Sequence, residues 1–200
     1  MLRLGVVILA AGKSARMGQP KLLLPWGATS VLGHLVKTWR RLGAEQIGVV
    51  WAANSELEKE LEGLGISPES RIVNPAPERG MFSSLQCAAN WEGWKTELTH
   101  WAIVLGDQPH IREKTLQEVL EASMSTPDKV CQPRQGGHRR HPVIMPKEVF
   151  REMGETKAAN LKEFLDTQEE SFCELDDPAL ALDIDRMEDY ERAKKMYFGP

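Results

Sequence analysis

The sequence predicts an α/β fold of the Rossmann-like type, in which a mostly parallel sheet carries helices on both faces. Two observations predict it. Short apolar runs of strand length alternate with stretches whose apolar residues recur at helical spacing, and the first run leads directly into a glycine-bearing loop. Alternation of this kind builds βαβ units with parallel strands. The 200 residues contain no repeat, low-complexity tract or linker, so residues 1–200 are expected to form a single domain.

The strands are predicted from the apolar runs, and the first run is continuous, as is typical of a strand covered on both faces. These runs predict strands at residues 4–10, 47–53, 71–74, 101–105, 129–133, 141–145, 172–175 and 182–185. Four of them are followed or ended by a residue suited to ligand binding: Gly12, Asn74, Asp107 and Asp185. Because ligands bind at the carboxyl ends of the strands in such sheets, these positions are candidates for a site.

The helices are predicted from apolar residues at helical spacing, and two of them have end signals. Ser30 is placed to cap the first helix and Gly43 to end it, while Ser55 and Glu58 have the form of a capping box. The expected helices cover residues 32–42, 55–63, 83–91, 112–124, 147–153, 161–165 and 187–197.

Composition argues against several classes of partner. The net charge of −4 disfavours a protein that wraps nucleic acid, which needs a basic face. No apolar run reaches the roughly 18 residues of a membrane span. Cys87, Cys131 and Cys173 are odd in number and far apart, so neither a disulfide framework nor a zinc site is expected and a cytoplasmic location fits.

The loop after the first strand is the strongest candidate for a ligand site. It carries two glycines, a hydroxyl and three cations within ten residues, which are Gly12, Lys13, Ser14, Arg16, Gly18 and Lys21. Glycine lets backbone amides approach a phosphate, and arginine and lysine neutralise its charge. A Walker loop would need glycine where Val7 stands, and the dinucleotide fingerprint would need glycine at Ser14. The loop therefore predicts a triphosphate cradle of another type, against the plain alternative of a solvated turn.

This segment resembles the signature of a known family. Residues 9–25 read Leu-Ala-Ala-Gly-x-Ser-x-Arg-Met-Gly-x-x-Lys-Leu-Leu-Leu-Pro, which is similar to nucleotidyltransferases related to molybdenum cofactor cytidylyltransferase, the MobA-like NTP transferases. The resemblance continues, in family order, at residues 74–85, 105–109, 141–142 and 182–190. It implies the nucleotide-diphospho-sugar transferase type of fold. It also implies transfer of a nucleoside monophosphate from an NTP to a phosphorylated acceptor, with release of pyrophosphate.

Two aspartates are the expected metal ligands. Asp107 and Asp185 lie where the carboxyl ends of parallel strands would meet, and Mg²⁺ prefers carboxylate oxygens together with phosphate and water. The resemblance implies that they bind Mg²⁺, with Asp183 as a weaker alternative to Asp185. Either aspartate alone could instead serve a turn or cap a helix, and Asp189 is interpreted as a charge in the first turn of the last helix.

The proline-, glycine- and serine-rich loop at residues 74–85 is expected to face the nucleobase. Together with the first loop it completes the set expected to bind nucleotide: Leu9, Ala10, Ala11, Gly12, Lys13, Ser14, Arg16, Lys21, Asn74, Gly80, Ser83 and Ser84. Ser83 could equally cap the following helix. The six tryptophans could stack on bases, but Trp39, Trp51 and Trp101 occupy core positions of the pattern, and Trp26, just beyond Lys21, is left unassigned.

A second cationic loop at residues 136–142 is expected to bind the acceptor through Arg140 and His141, with Arg139 beside them. Similar enzymes carry a Gly-His-Pro element here, and Arg140 replaces its glycine. The acceptor is therefore less well defined than the chemistry, and His141 could simply be a packed histidine.

The expected catalytic residues are Arg16, Lys21 and Asp107. The resemblance favours CTP, because residue 11 is alanine where the guanylyl branch has a second glycine, and it favours molybdopterin cofactor as acceptor, with a molybdoenzyme as possible recipient. The alternatives are GTP as donor, a sugar phosphate as acceptor, or a non-catalytic module that binds nucleotide and delivers cofactor.

Overall fold

A central sheet of eight strands organises the computed structural model, which describes residues 2–12, 16–52 and 56–199. The strands of the chain are β1 (Leu4–Leu9), β2 (Pro25–Trp26), β3 (Thr29–Ser30), β4 (Gln46–Trp51), β5 (Arg71–Val73), β6 (His100–Leu105), β7 (Val130–Gln135), β8 (His138–Arg139), β9 (Val143–Pro146) and β10 (Glu170–Glu174). The central sheet runs β10-β7-β9-β6-β1-β4-β5, with β8 paired to β7, while β2 and β3 form a separate two-stranded ribbon. Within the described chain β9 and β8 run against the other strands of the central sheet.

Helices pack on both faces of this sheet, as predicted. They are α1 (Val31–Arg41), α2 (Glu58–Gly63), α3 (Met81–Ala89), α4 (Glu113–Ser125), α5 (Lys147–Glu155), α6 (Leu161–Leu165) and α7 (Met187–Phe198). Side chains alternate along each strand, so Val6 and Ile8 point into the core on one face and Val7 into the core on the other. The first core includes residues of α1, α4 and α7, and the second includes residues of α3, α5 and α6. The predicted fold class is confirmed.

The end signals of the first helix are also confirmed. The Ser30 hydroxyl accepts a hydrogen bond of 2.8 Å from the Gly33 amide and so satisfies one of the free donors of the first turn. Gly43 follows the helix with φ of 89°, the left-handed conformation that glycine adopts without a steric penalty. The capping box proposed for the next helix includes Ser55, which lies outside the described residues.

The expected strand at residues 182–185 was wrong. Leu182 and Ile184 are buried, which explains the alternating pattern, but the segment has no neighbouring strand with which to form a ladder. It instead crosses the end of the sheet, where the Ile184 amide donates to the carbonyl of Asp107 at 3.1 Å. The alternation of apolar and acidic residues here results from burial of one side of an irregular segment.

The tryptophans assigned to the core are confirmed there. Trp39, Trp51 and Trp101 are buried, and Trp101 stacks on Phe150 with ring centroids 4.6 Å apart. Trp26, which the sequence left unassigned, is also buried and lies within an aromatic cluster formed by Tyr190, Tyr197 and Phe198. No helix in the described part of the chain is long and apolar enough to cross a membrane.

Candidate active site

A cleft of about 310 Å³ opens at the carboxyl ends of the adjacent strands β1 and β6. Its walls come from the first loop, the loop before α3 and the turn after β6, and the lining residues are Leu9, Ala10, Ala11, Gly12, Lys21, Leu22, Pro77, Gly80, Met81, Ser84, Leu105, Gly106 and Asp107. This is the end of the sheet at which parallel folds bind ligands. The cleft therefore brings together three loops that are distant in sequence.

Gly106 allows the cleft to form at this point. A Cβ atom at this position would lie 2.5 Å from the backbone oxygen of Leu9 and 2.9 Å from the side chain of Leu22. Only glycine lets the turn after β6 approach the end of β1 so closely. Gly106 was not predicted as a site residue, although it directly precedes Asp107, which was.

Four charged side chains meet at the mouth of the cleft. The Lys21 Nζ atom lies 2.7 Å from Asp107 Oδ2 and 3.8 Å from Asp185 Oδ1. The Arg16 guanidinium donates to the other oxygen of Asp185 at 2.9 Å. The cations expected to bind phosphate thus contact the carboxylates expected to bind metal. Arg16 and Asp185 are not among the described residues that line the cleft itself.

The irregular segment at residues 182–186 is held in place by several hydrogen bonds. Lys21 Nζ donates to the carbonyl of Ile184 at 3.2 Å, and Gln108 donates to Asp183 Oδ1 at 2.9 Å. Asp189 accepts from the backbone amides of Asp185 and Arg186 at 3.2 and 2.9 Å, so it does more than place a charge in the first turn of α7. These bonds give Asp185 a defined position even though it lies outside any helix or strand.

The carboxylates of Asp107 and Asp185 would supply some of the oxygen ligands of a hard divalent cation. Asp107 Oδ1 is buried and accepts no hydrogen bond from a described group, so its lone pairs are available to a cation. Within the described ranges no three His, Cys, Asp or Glu side chains converge as a preformed metal site, so the remaining ligands would be phosphate and water. Partial burial and the charges of Asp107 and Asp185 raise the pKa of Asp183. Asp183 is therefore protonated more readily than a fully exposed aspartate.

Asn74 organises the loop that leads into α3. It is buried, and its amide donates to the hydroxyls of Ser83 and Ser84 at 2.9 and 2.8 Å. Ser83 in turn donates to the Gly80 carbonyl at 2.7 Å. Asn74 and Ser83 do not line the cleft, whereas Gly80 and Ser84 do.

The alternative role suggested for Ser83 was wrong. Helix α3 begins at Met81 with Gly80 as its N-cap residue, so Ser83 lies inside the first turn. Gly80 adopts φ of 92°, a backbone conformation that other residues rarely take. A hydroxyl at the third helical position therefore buttresses the loop through a backbone carbonyl and does not cap the helix.

A second cavity, of about 640 Å³, adjoins the cleft at Met81, which lines both. Its lining is largely cationic and consists of Met81, Gln132, Arg134, Gly137, His138, Arg139, Arg140, His141, Val143, Leu161, Lys162, Leu165 and Asp166. Arg139 is already neutralised, because it contacts both Asp166 and Glu170 at 2.5 Å. Arg140 has no ion pair with a described carboxylate, and its Nε atom is buried without a hydrogen-bond partner.

His141 lies at the edge of this cavity and is joined to Pro142 by a cis peptide bond. Burial lowers the pKa of His141, opposed by the backbone of Ile103 and the charge of Asp107. The imidazole is therefore neutral near pH 7, and its Nδ1 atom is buried without a described partner. His141 is consequently suited to hydrogen bonding and not to neutralising an anion.

The structure brings most of the predicted site residues to one end of the sheet. Lys13 and Ser14 lie outside the described residues. Leu22, Pro77 and Met81 line the cleft but were not predicted, because an apolar side chain gives no chemical indication of a site. Met81 had one usable signal, namely its place directly after Gly80.

The fold and the cleft define the class of protein. The mostly parallel sheet with its cleft at the strand ends is that of nucleotidyltransferases of the nucleotide-diphospho-sugar transferase fold. The family model for the MobA-like NTP transferase domain matches residues 6–172, and the chain belongs to that family.

Known proteins similar to this chain include molybdenum cofactor cytidylyltransferase of Escherichia coli, which is 24% identical over 198 residues covering 98% of both chains. Among solved structures, a nucleotidyl transferase from Methanothermobacter superposes with a TM-score of 0.78 at 21% identity, over 98% of this chain and 97% of that one. The Mycobacterium tuberculosis protein Rv0371c, solved as a complex with manganese, superposes with a TM-score of 0.70 at 22% identity, over 96% of this chain and 98% of that one. The structural likenesses support the fold, and the family rests on the family model.

Proposed function

We propose that the protein transfers the nucleoside monophosphate of CTP to the phosphate of molybdopterin cofactor, with Mg²⁺ as its metal and pyrophosphate as the second product. The observation that carries this proposal is the cluster of Lys21, Asp107 and Asp185 at the mouth of the cleft. Two carboxylates suited to a divalent metal lie within 3.8 Å of a cation suited to phosphate, beside the first-loop residues that line the cleft.

The reaction is an in-line displacement at the α-phosphorus. An oxygen of the acceptor phosphate forms a bond to that phosphorus, the bond to the bridging oxygen breaks, and the electron pair leaves with pyrophosphate. No general base is needed, because the acceptor phosphate is already anionic. Catalysis therefore consists of alignment and charge neutralisation.

The residues divide this work between them. Arg16 and Lys21 hold the β- and γ-phosphates and stabilise the departing pyrophosphate. Asp107 and Asp185 hold the metal ion, which when bound supplies positive charge at the reacting phosphate. The backbone of residues 9–12 and the Ser84 hydroxyl contact the nucleoside, and Asn74 orients that hydroxyl. Lys13 and Ser14 belong to the proposed phosphate loop.

The acceptor occupies the cationic cavity. Arg140 binds its phosphate because its guanidinium has no carboxylate partner among the described residues, and neutral His141 donates or accepts one hydrogen bond. Met81 stands where the two cavities meet, and so it contacts both substrates. Molybdopterin cofactor is proposed because of the family and the full-length similarity to a molybdenum cofactor cytidylyltransferase. The product would be made in the cytoplasm and passed to a molybdoenzyme.

Nucleotide choice and turnover test this proposal together. CTP with Mg²⁺ is expected to raise the melting temperature more than GTP, ATP or UTP, because a ligand that binds only the folded state stabilises it. Pyrophosphate release is then expected with CTP and molybdopterin cofactor. A clear preference for GTP would overturn the cytidylyl assignment. Nucleotide binding without turnover on molybdopterin cofactor or any sugar phosphate would point to a non-catalytic delivery module.

Replacing Arg140 tests the acceptor site. Arg140→Met is expected to raise the KM for the acceptor by roughly 10- to 100-fold, because it removes a hydrogen bond between charged groups. The KM for the nucleotide is expected to change little. Steady-state pyrophosphate release measures both constants. Arg151→Met is the matched control, because Arg151 is 63% exposed on α5 and contacts only Glu148 among the described ion pairs. An unchanged acceptor KM in Arg140→Met would remove this residue from the site.

A further inference from the structure

The charged side chains at the mouth of the cleft balance one another. Two cations, Lys21 and Arg16, face two carboxylates, Asp107 and Asp185, and each cation contacts a carboxylate at 2.9 Å or less. The groups proposed to receive phosphate and the groups proposed to receive metal are thus each other's partners. Metal or triphosphate can therefore bind these groups only when the ion pairs between them separate.

The two contacts differ in strength. The side chains of Lys21 and Asp107 are only 16% and 21% exposed, whereas those of Arg16 and Asp185 are 67% and 40% exposed. Water screens the outer pair strongly and the inner pair weakly. The Lys21 ammonium also donates to the carbonyl of Ile184, so it is anchored between the two carboxylates. Lys21 is therefore the group that an incoming cation must displace.

Each ligand alone would break this balance. A divalent cation on Asp107 and Asp185 would leave the ammonium of Lys21 beside a metal ion in a half-buried site. A triphosphate on Lys21 and Arg16 would leave two carboxylates facing four negative charges. Only when both arrive do the cations move to phosphate while the carboxylates take the metal.

We infer that Lys21 competes with a divalent cation for Asp107 and Asp185, so that these carboxylates bind the cation weakly until a triphosphate draws the ammonium away. The inference rests on the proposed function, because it takes Asp107 and Asp185 as the metal-binding pair. By linkage, metal must raise nucleotide affinity by the same factor by which nucleotide raises metal affinity.

Binding of Mn²⁺ without nucleotide tests the inference directly. Lys21→Met removes the competing ammonium and keeps a side chain of similar length. The variant is therefore expected to bind free Mn²⁺ about tenfold more tightly than the wild-type protein. The measurement is the electron paramagnetic resonance signal of unbound Mn²⁺ during titration. Arg16→Met is the matched control, and a smaller gain is expected because the Arg16 contact is exposed. Asp107→Asn in the Lys21→Met background is expected to abolish the gain.

Adding CTP provides the second measurement. In the wild-type protein CTP is expected to raise Mn²⁺ affinity more than tenfold, and this coupling is expected to shrink in Lys21→Met. Equal or weaker binding of free Mn²⁺ by a folded Lys21→Met protein, verified by circular dichroism, would overturn the inference. Lys21→Gln provides the same comparison if Lys21→Met does not fold. Pyrophosphate release by the wild-type protein is scored separately, so loss of the coupling and loss of the proposed activity are distinguishable.

Discussion

Asp107→Asn is expected to lower the rate of pyrophosphate release by about 100- to 1000-fold. Asparagine keeps the volume of the side chain and an oxygen that can accept from Lys21, but it removes the negative charge that a metal ion requires. The buried Oδ1 atom, which accepts no hydrogen bond from a described group, makes this carboxylate the principal metal ligand of the proposed mechanism. Steady-state turnover at saturating CTP and acceptor measures the effect.

Asp183→Asn is the control for this experiment. Asp183 lies beside the same cluster, but its Oδ1 atom accepts from Gln108, and partial burial together with the charges of its neighbours raises the pKa of its carboxyl group. Its replacement is expected to change turnover by less than about tenfold, because asparagine keeps an oxygen that can accept the hydrogen bond from Gln108. Near-normal turnover in Asp107→Asn, or an equal loss in both variants, would remove Asp107 from its proposed role.

Gly106→Ala is expected to lower the free energy of unfolding by about 1–3 kcal/mol and to weaken nucleotide binding at the same time. The added Cβ would meet the backbone oxygen of Leu9 at 2.5 Å, and neither strand can move without disturbing the paired ladder of β1 and β6. The part of the cleft wall formed by Gly106 and Leu9 would therefore shift. Urea denaturation and a CTP titration measure the two effects.

Gly63→Ala provides the comparison for Gly106→Ala. Gly63 lies at the end of α2, and a Cβ there meets nothing within 4 Å. Its replacement is expected to leave nucleotide binding unchanged and to stabilise the chain slightly, because alanine favours the helix. A Gly106→Ala protein that is as stable as Gly63→Ala would contradict the close approach of β1 and β6 described above.

The fold was predictable because its information is local. Strand runs such as residues 101–105 and helix signals such as Ser30 depend on neighbours within a few positions, and both are confirmed to within a few residues. The strand expected at residues 182–185 was wrong for the complementary reason. Burial produces the same alternation whether or not a partner strand exists, and partners are decided by the whole sheet.

The same difference between local and long-range information applies to the candidate site. That Lys21 and Asp107 follow buried strands could be predicted from sequence, whereas their contact at 2.7 Å could not, since it joins residues 86 positions apart. The sequence pattern likewise marked Asn74 as a ligand contact, but the structure shows it donating to Ser83 and Ser84. A polar side chain after a strand carries no information about whether it faces the ligand or supports the residue that does.

The contact between Arg16 and Asp185 joins residues 169 positions apart, and this separation has a consequence for synthesis of the protein. A growing chain makes the first loop early and the residues that complete its charge partners last. Until residue 185 has emerged, Arg16 and Lys21 both lack their contacts with Asp185. Contacts between such distant residues form late in folding, because the loop that they close is long. A nascent chain is therefore expected to fold most of its sheet before this charged cluster is complete.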